Sequence, residues 1–311
     1  MLLLTLLFTW IAAGVSLATV FGFLGRWWWR FDLLSHFRIQ YAVLLATCIA
    51  ALLVLDQFFL AGVFSLFGAV NLWLLWPFYW PRPRAVTEKT YRLFLANVLQ
   101  ENQHYHKIMA AIAQAQPDFI ALVETGEHWI EALTPLQETY PHFIHEFWGA
   151  ENYDIALFSR ITPDALEIQR FGPTGVPSIV GRFTLEGQAL TLIVTHPAPP
   201  KTPRETAARN AQLVALAEFA ASQPGAVILA GDLNITSWSP FFAPLLQRGK
   251  LRDSRLGRGI QPSWPVESPL MRIPIDHILV SPGVLVQQRS LGPATGSDHR
   301  PIVMDFFVAP A

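Results

Sequence analysis

The polarity of the chain changes abruptly about a quarter of the way along. Residues 2 to 25 form one stretch without a charged side chain, and residues 39 to 80 form another, interrupted only by Asp56 and Gln57. At about 1.5 Å of rise per residue, the first is long enough to cross the roughly 30 Å hydrocarbon layer of a bilayer as one helix. The second is too long for one crossing and reads as a hairpin of two spans turning at Asp56. The pattern therefore predicts three transmembrane helices within residues 1–80. A cleaved leader fits poorly, because no positive charge precedes the first run and that run exceeds the usual core of about 7 to 15 residues. A buried helical core fits poorly too, since it would have to hide the whole region almost without charges.

Residues 81–90, "PRPRAVTEKT", read as a linker. Fully extended at about 3.3–3.6 Å per residue, it reaches roughly 35 Å and would keep the remaining two hundred or so residues close to the lipid headgroups.

From residue 91 the pattern alternates between strand and helix. "YRLFLANVL" and "DFIALVE" read as buried strands separated by a helix over 104–116 that Pro117 stops. A helix near 127–140 leads to "YDIALFSR", after which "SIVGRFTL" and "ALTLIVTH" flank a hairpin turn at Glu186, Gly187 and Gln188. Thr202, Pro203 and Glu205 form a capping box for a helix through "RNAQLVALAEFAA". "AVILAGDLN" is the next strand, Ser239 and Pro240 cap a helix ending by Gly249, and "IDHILVS", "VLVQQRSL" and "RPIVMDFFV" close the chain as strands. This is the alternation of a mixed α/β domain over residues 91–311, with polar strand ends converging at one rim.

Composition agrees with the division. The 311 residues are 52% hydrophobic and 14% charged, and the mean hydropathy of +0.33 exceeds that of an ordinary soluble domain. Arg26, Arg30 and Arg38 follow the first span, on the same side as Arg82, Arg84 and Lys89, whereas the N-terminus and the Asp56 turn carry no Lys or Arg. That bias places the large domain in the cytoplasm. Trp27, Trp28 and Trp29 close one span and Trp73, Trp76, Tyr79 and Trp80 another, as interfacial belts do. The single cysteine, Cys48, lies within a predicted span and says nothing about compartment. After residue 81 there are 19 Lys and Arg against 21 Asp and Glu, without the basic surplus of a dedicated nucleic-acid binder.

Candidate chemistry sits at the strand ends: Asn97, Glu124, His196, Asp232, Asn234, Asp276, Asp298 and His299. A lone strand-end Asp or Asn is usually a turn former or cap, and a lone His usually a satisfied structural residue. Six strand ends carrying only carboxylate, carboxamide and imidazole are different, because crowded acids repel unless a cation sits among them. Oxygen donors without thiolates point to Mg²⁺ or Mn²⁺, with Zn²⁺ less favoured.

"GDLN" and "SDHRP", with "VET" and "TH" upstream in the same order, resemble the endonuclease/exonuclease/phosphatase superfamily across residues 91 to 308. That resemblance implies a four-layer sandwich, two mixed β-sheets flanked by helices, here preceded by three transmembrane helices. It implies a metal site of Glu124, Asn97 and Asp298, and His299 as the base that draws a proton from water, oriented by Asp276. It also implies that Asp232 and Asn234 position the nucleophile and the phosphate oxygens, and that His196 binds the scissile phosphate or protonates the leaving oxygen. Some schemes in that family give the base role to the "GDLN" aspartate, and the sequence leaves the choice open.

The layout also resembles membrane phosphatases linked to glycopeptide resistance, which implies a prenyl-pyrophosphate substrate and a catalytic domain on the outer face, opposite to the charge bias. A phosphorylated lipid in the bilayer is the leading substrate. A membrane-tethered nuclease and a non-enzymatic membrane scaffold are the alternatives, and no protein partner is evident. Arg209 and Gln212 are expected in a surface ion pair. The run "RGKLRDSRLGR" is either a phosphate-recognition element or a solvated loop, and His104, His106, His142 and His145 are expected at the surface.

Overall fold

The computed structural model of the chain describes residues 1–81, 90–149 and 152–310. The apolar quarter forms α1 (Leu2–Phe23), α2 (Trp29–Leu34), a 3-10 turn (Ser35–Phe37), α3 (Arg38–Val54) and α4 (Phe58–Tyr79). By length and composition, Leu2–Phe23, Trp29–Val54 and Phe58–Tyr79 could each cross a membrane. Small or polar residues face inward on α1, where Ala12, Ser16, Thr19 and Gly22 are buried. Asn71 Nδ2 donates to Thr19 Oγ1 at 2.9 Å, while Leu3, Trp10 and Phe59 are each more than 70% exposed. The bundle also buries Leu45, Leu52 and Phe64, so apolar side chains lie both inside and outside it, an exposure unusual for a bundle in water. Trp27, Trp28, Trp73, Trp76, Tyr79 and Trp80 are also exposed. Of the basic residues after α1, Arg26 and Arg30 stay exposed, but Arg38 is buried and donates to Thr19 O at 2.9 Å. The linker expected at 81–90 lies almost wholly outside the described residues.

The rest of the chain runs β1 (Tyr91–Asn97), α5 (Tyr105–Ala115), β2 (Phe119–Val123), α6 (Gly126–Ala132), β3 (His142–Glu146), β4 (Ile155–Ser159) and β5 (Ala165–Arg170). It continues through β6 (Pro177–Leu185), β7 (Gln188–Thr195), α7 (Pro203–Ser222), β8 (Ala226–Asp232), α8 (Phe242–Gly249), β9 (Arg252–Asp253), β10 (Asp276–Val280), β11 (Val284–Leu291) and β12 (Ile302–Val308). These strands form two six-stranded mixed sheets, ordered β11-β12-β1-β2-β4-β3 and β5-β6-β7-β8-β10-β9. Each has one parallel pair at its centre, β1 with β2 and β7 with β8. A helix, α5 or α7, makes each parallel crossover, as parallel neighbours require. The sheets pack face to face through residues such as Leu95, Val123, Ile179, Val194, Ile228 and Met304. Helices α5 and α6 cover the outside of the first sheet, and α7 and α8 cover the second. The expected four-layer sandwich is the observed fold.

Local departures have local causes. β3, β5 and β9, unmarked in the sequence pattern, lie at sheet edges, where partial exposure erases the apolar run of an interior strand. Glu186 and Gly187 alone make the hairpin turn, with φ of 51° and 80°, and Gln188 already pairs with Leu185. The capping box forms as expected, Thr202 Oγ1 accepting from Glu205 N at 3.2 Å. The helix expected over 127–140 divides into α6 and a 3-10 turn over Thr134–Glu138 that contains Pro135.

The bundle and the sandwich are joined by a specific interface. Ala42, Leu75 and Phe78 pack with Trp238 and Ile260, and Gly257 N and Gly259 N donate to the carbonyls of Pro77 and Phe78 at 3.1 and 2.8 Å. At its centre Arg209 pairs with Asp32 at 2.6 Å, both side chains fully buried, and Ser239 Oγ donates to the same carboxylate at 2.7 Å. Arg209 and Gln212 are therefore not at the surface: Arg209 is the sandwich's half of the joint, and Gln212 is buried beside Thr195. "RGKLRDSRLGR" is largely structural as well. Arg255 is buried against Asp253 at 2.7 Å and lies over the Phe78 ring, while Arg252 and Arg258 donate to the carbonyls of Val284 and Val286 on β11. His104 and His106 are exposed as expected, and His142 and His145 are half-buried on β3.

Candidate active site

The parallel centre of each sheet delivers its chemistry to one edge of the sandwich. β1 ends on Asn97, β2 is followed by Glu124, β7 by His196, and β8 ends on Asp232, directly opposite Asp276 at the start of β10. The loop before β12 supplies Asp298 and His299. Gly231 permits the close approach of β8 to β7, because a Cβ there would lie 1.8 Å from Thr195 O. That contact brings Asp232 beside His196. Glu124 takes a left-handed φ of 59°, a conformation that costs a non-glycine residue roughly 1–3 kcal/mol and concentrates at functional sites.

All eight sequence-derived candidates gather here, linked mostly to one another. Asn97 Nδ2 donates to Glu124 Oε1 at 2.7 Å and to Asp232 Oδ2 at 3.2 Å. Asn234 N donates to Asp232 Oδ1 at 2.9 Å, and its Nδ2 lies 3.4 Å from His196 Nε2. His196 Nδ1 donates to Asn152 O at 3.1 Å, which leaves Nε2 directed at Glu124 Oε1 and Asp232 Oδ2, 3.6 and 3.7 Å away. His299 Nδ1 donates to Asp276 Oδ2 at 2.8 Å, with Nε2 at 3.7 Å from Asp232 Oδ2. Ser297 Oγ fixes this loop by accepting from His299 N and donating to Asn97 O.

The two imidazoles are shifted in opposite directions. Burial opposes charge on His299, but the carboxylate of Asp276, which it hydrogen-bonds, and those of Asp232 and Asp298 outweigh it and push its pKa up to about 10. Burial lowers the pKa of His196, against the pull of Asp232. Burial and the neighbouring Asp276 raise Asp232 to about 6, against His299 and His196. Glu124 is raised mainly by burial.

The donor set suits a hard divalent cation. Ligand atoms of Glu124, His196 and Asp232 lie within 4.8 Å of one another, as do those of Asp232, Asp276 and His299. Asp298 Oδ1 lies 3.9 Å from His299 Nε2, the ring nitrogen that also faces Asp232. Trp264 Nε1 donates to Asp298 Oδ2 at 2.8 Å, whereas Oδ1 is buried without a hydrogen-bond partner. Asn97 turns its amino group to Glu124, and its Oδ1 accepts from Leu99 N at 3.0 Å. In this rotamer it orients Glu124 rather than presenting its oxygen.

Glu124, His196, Asp232, Asn234, Asp298 and His299 line a cavity of about 840 Å³. Its wall also includes Leu33, His36 and Phe37 from the apolar N-terminal region, together with Ile273 and Ile275, none of which the strand-end pattern marked. The one signal for the N-terminal contribution is Asp32, a carboxylate in an apolar segment, which needs a buried partner. Trp264 carried no strand-end signal either. Asn152 acts through its backbone carbonyl and had no sequence signal.

With this arrangement in place, the relatives are informative. The sequence model of the endonuclease/exonuclease/phosphatase family matches residues 70–299. The chain belongs to that family. Its members are phosphoester hydrolases, so the chain is identified as a hydrolase of that class. Among solved structures, TDP2 of D. rerio complexed with single-strand DNA product is similar at 20% identity with a TM-score of 0.60, over 71% of this chain and 100% of that one. The catalytic domain of human Nocturnin, with bound sulfate, is 19% identical with a TM-score of 0.58, over 73% and 98%. Sphingomyelinase C from Streptomyces griseocarneus is 15% identical with a TM-score of 0.52, over 70% and 99%. At these identities the likeness shows the fold. No protein of curated function matches the sequence.

Proposed function

We propose that this chain is a membrane-anchored, Mg²⁺- or Mn²⁺-dependent phosphohydrolase that cleaves a phosphoester or pyrophosphate bond in a lipid headgroup. Residues 1–80 would be a three-span anchor, 81–90 the linker and 91–311 the catalytic domain. One observation carries the lipid reading: the helices suited to lipid are fastened to the sandwich beside the catalytic cavity, through Asp32 and Arg209. The exposed Trp27, Trp28, Trp76 and Tyr79 at the same end of the bundle suit the headgroup layer. A site fixed there meets lipid phosphates at high effective concentration.

Glu124, with Asp298 and a rotated Asn97, would hold the ion. When bound, it would neutralise charge on the non-bridging phosphate oxygens and polarise the bond to be cut. The remaining work falls to the chain. Asp276 fixes the His299 ring through Nδ1, so that Nε2 faces the space beside Asp232. His299 can accept a proton from the attacking water there only when added positive charge among the carboxylates reduces its affinity for its own proton. Asn234 and its N–H set the Asp232 carboxylate, which orients the water. His196, held through Nδ1 by Asn152, turns Nε2 towards Glu124 and Asp232; to bind the phosphate or protonate the leaving oxygen it would first take up a proton on Nε2, which the negative charge of a bound phosphate favours.

The test uses purified full-length protein in detergent with Mg²⁺, offered a polyprenyl pyrophosphate or plasmid DNA. Phosphate release from the lipid is expected, and DNA cleavage without that release would refute the lipid reading.

A further inference from the structure

The catalytic cavity has walls of two kinds. One is the cluster of carboxylates, imidazoles and amides already described, and the other is apolar. Leu33 and Phe37 come to it from the α2 and 3-10 segment of the bundle, and Ile273 and Ile275 from the strand-like stretch that leads into β10. Water-soluble phosphate esters give such a wall nothing to bury, and a hydrocarbon chain attached to the phosphate does.

The apolar wall is held in place from both sides. His36, between Leu33 and Phe37, is buried with Nδ1 at 3.0 Å from Thr236 Oγ1 in the loop after Asn234. Gln40 Nε2, in the first turn of α3, donates to the carbonyls of Leu270 and Arg272 at 3.1 Å each. The second tie places the 268–272 loop beside a helix that is apolar enough to be surrounded by lipid. On that loop Leu270 is 86% exposed and Met271 49%, an unusual cost in water for two adjacent large apolar side chains. Exposed apolar side chains thus lie on the loop that Gln40 ties to α3 and that leads directly to Ile273 of the cavity wall.

We infer that Leu33 and Phe37 of the helical bundle, with Ile273 and Ile275, form a subsite for the hydrocarbon segment next to the phosphate of a membrane lipid, which enters past Leu270 and Met271. The inference rests on the lipid reading above and adds that the bundle contributes to substrate selection as well as anchoring. A few methylenes that leave water for such a wall suffice for about a tenfold preference.

The experiment uses the full chain in nanodiscs and compares kcat/KM for a long-chain polyprenyl pyrophosphate with that for a five-carbon analogue of the same headgroup. Wild type should prefer the long chain, and Phe37→Ala should reduce the ratio of the two values by at least tenfold. Phe37→Trp, which fills the space without removing apolar surface, should shift the preferred chain towards shorter lipids and guards against a trivial folding defect. Loss of activity on both substrates in equal proportion, or an unchanged ratio in both variants, would overturn the subsite while leaving the lipid reading intact. If wild type hydrolyses neither compound but cuts DNA, the lipid reading itself falls.

Discussion

His299→Ala is expected to reduce turnover on any phosphorylated substrate by about 10²–10⁴-fold, the usual contribution of a positioned proton-transfer group. The ring is nearly buried, its Nδ1 is committed to Asp276 at 2.8 Å, and its backbone is pinned by Ser297. Its Nε2 therefore has one direction in which to act. Asp276→Asn should lower turnover by a similar order, because an amide can no longer accept the Nδ1 proton as an anion. Steady-state kcat with an unfolding curve for each variant provides the check. Retention of more than a tenth of wild-type turnover in correctly folded His299→Ala protein would remove the residue from the mechanism.

The second large effect is expected far from the reacting atoms in sequence. Asp32→Ala leaves the Arg209 guanidinium buried without its carboxylate, a loss that typically costs about 3–5 kcal/mol. The change should also reach the site, because Arg209 holds Asn234 O at 2.9 Å and Asn234 caps Asp232. A lower unfolding midpoint for the full chain, together with a reduced kcat, is the expected result. Asp32→Ala combined with Arg209→Met should recover much of the stability, since a buried ion pair can be replaced by apolar groups at little cost. A single variant as stable as wild type would show that the joint contributes no net stability.

Asp232, Asn234, Asp298 and His299 were legible in the sequence because an interior strand is a continuous apolar run, and the polar residue that ends it stands out. Both sheets place such ends on one edge, so a linear pattern became a cluster. The Asp32–Arg209 joint was not legible in this way, because its partners are 177 positions apart and nothing local to Arg209 distinguishes a buried arginine from an exposed helical one. Leu33 and Phe37 were hidden for a related reason. In a segment that is apolar throughout, the residues facing a cavity have the same composition as those facing lipid. Edge strands β3, β5 and β9 escaped because partial exposure leaves no pattern for periodicity to find.

If side chains from Asn97 to His299 meet around one divalent cation and hydrolyse a lipid phosphate, the metal and its principal ligand must both be indispensable. That is read from phosphate release from a bilayer-embedded lipid pyrophosphate by wild-type and Glu124→Gln protein during a Mg²⁺ titration that starts in chelator. Wild type should be silent in chelator and recover with Mg²⁺ or Mn²⁺, and Glu124→Gln should remain at least 10²-fold slower across the titration. Equal release by wild type with and without the metal, or by the two proteins at every Mg²⁺ concentration, would contradict this mechanism.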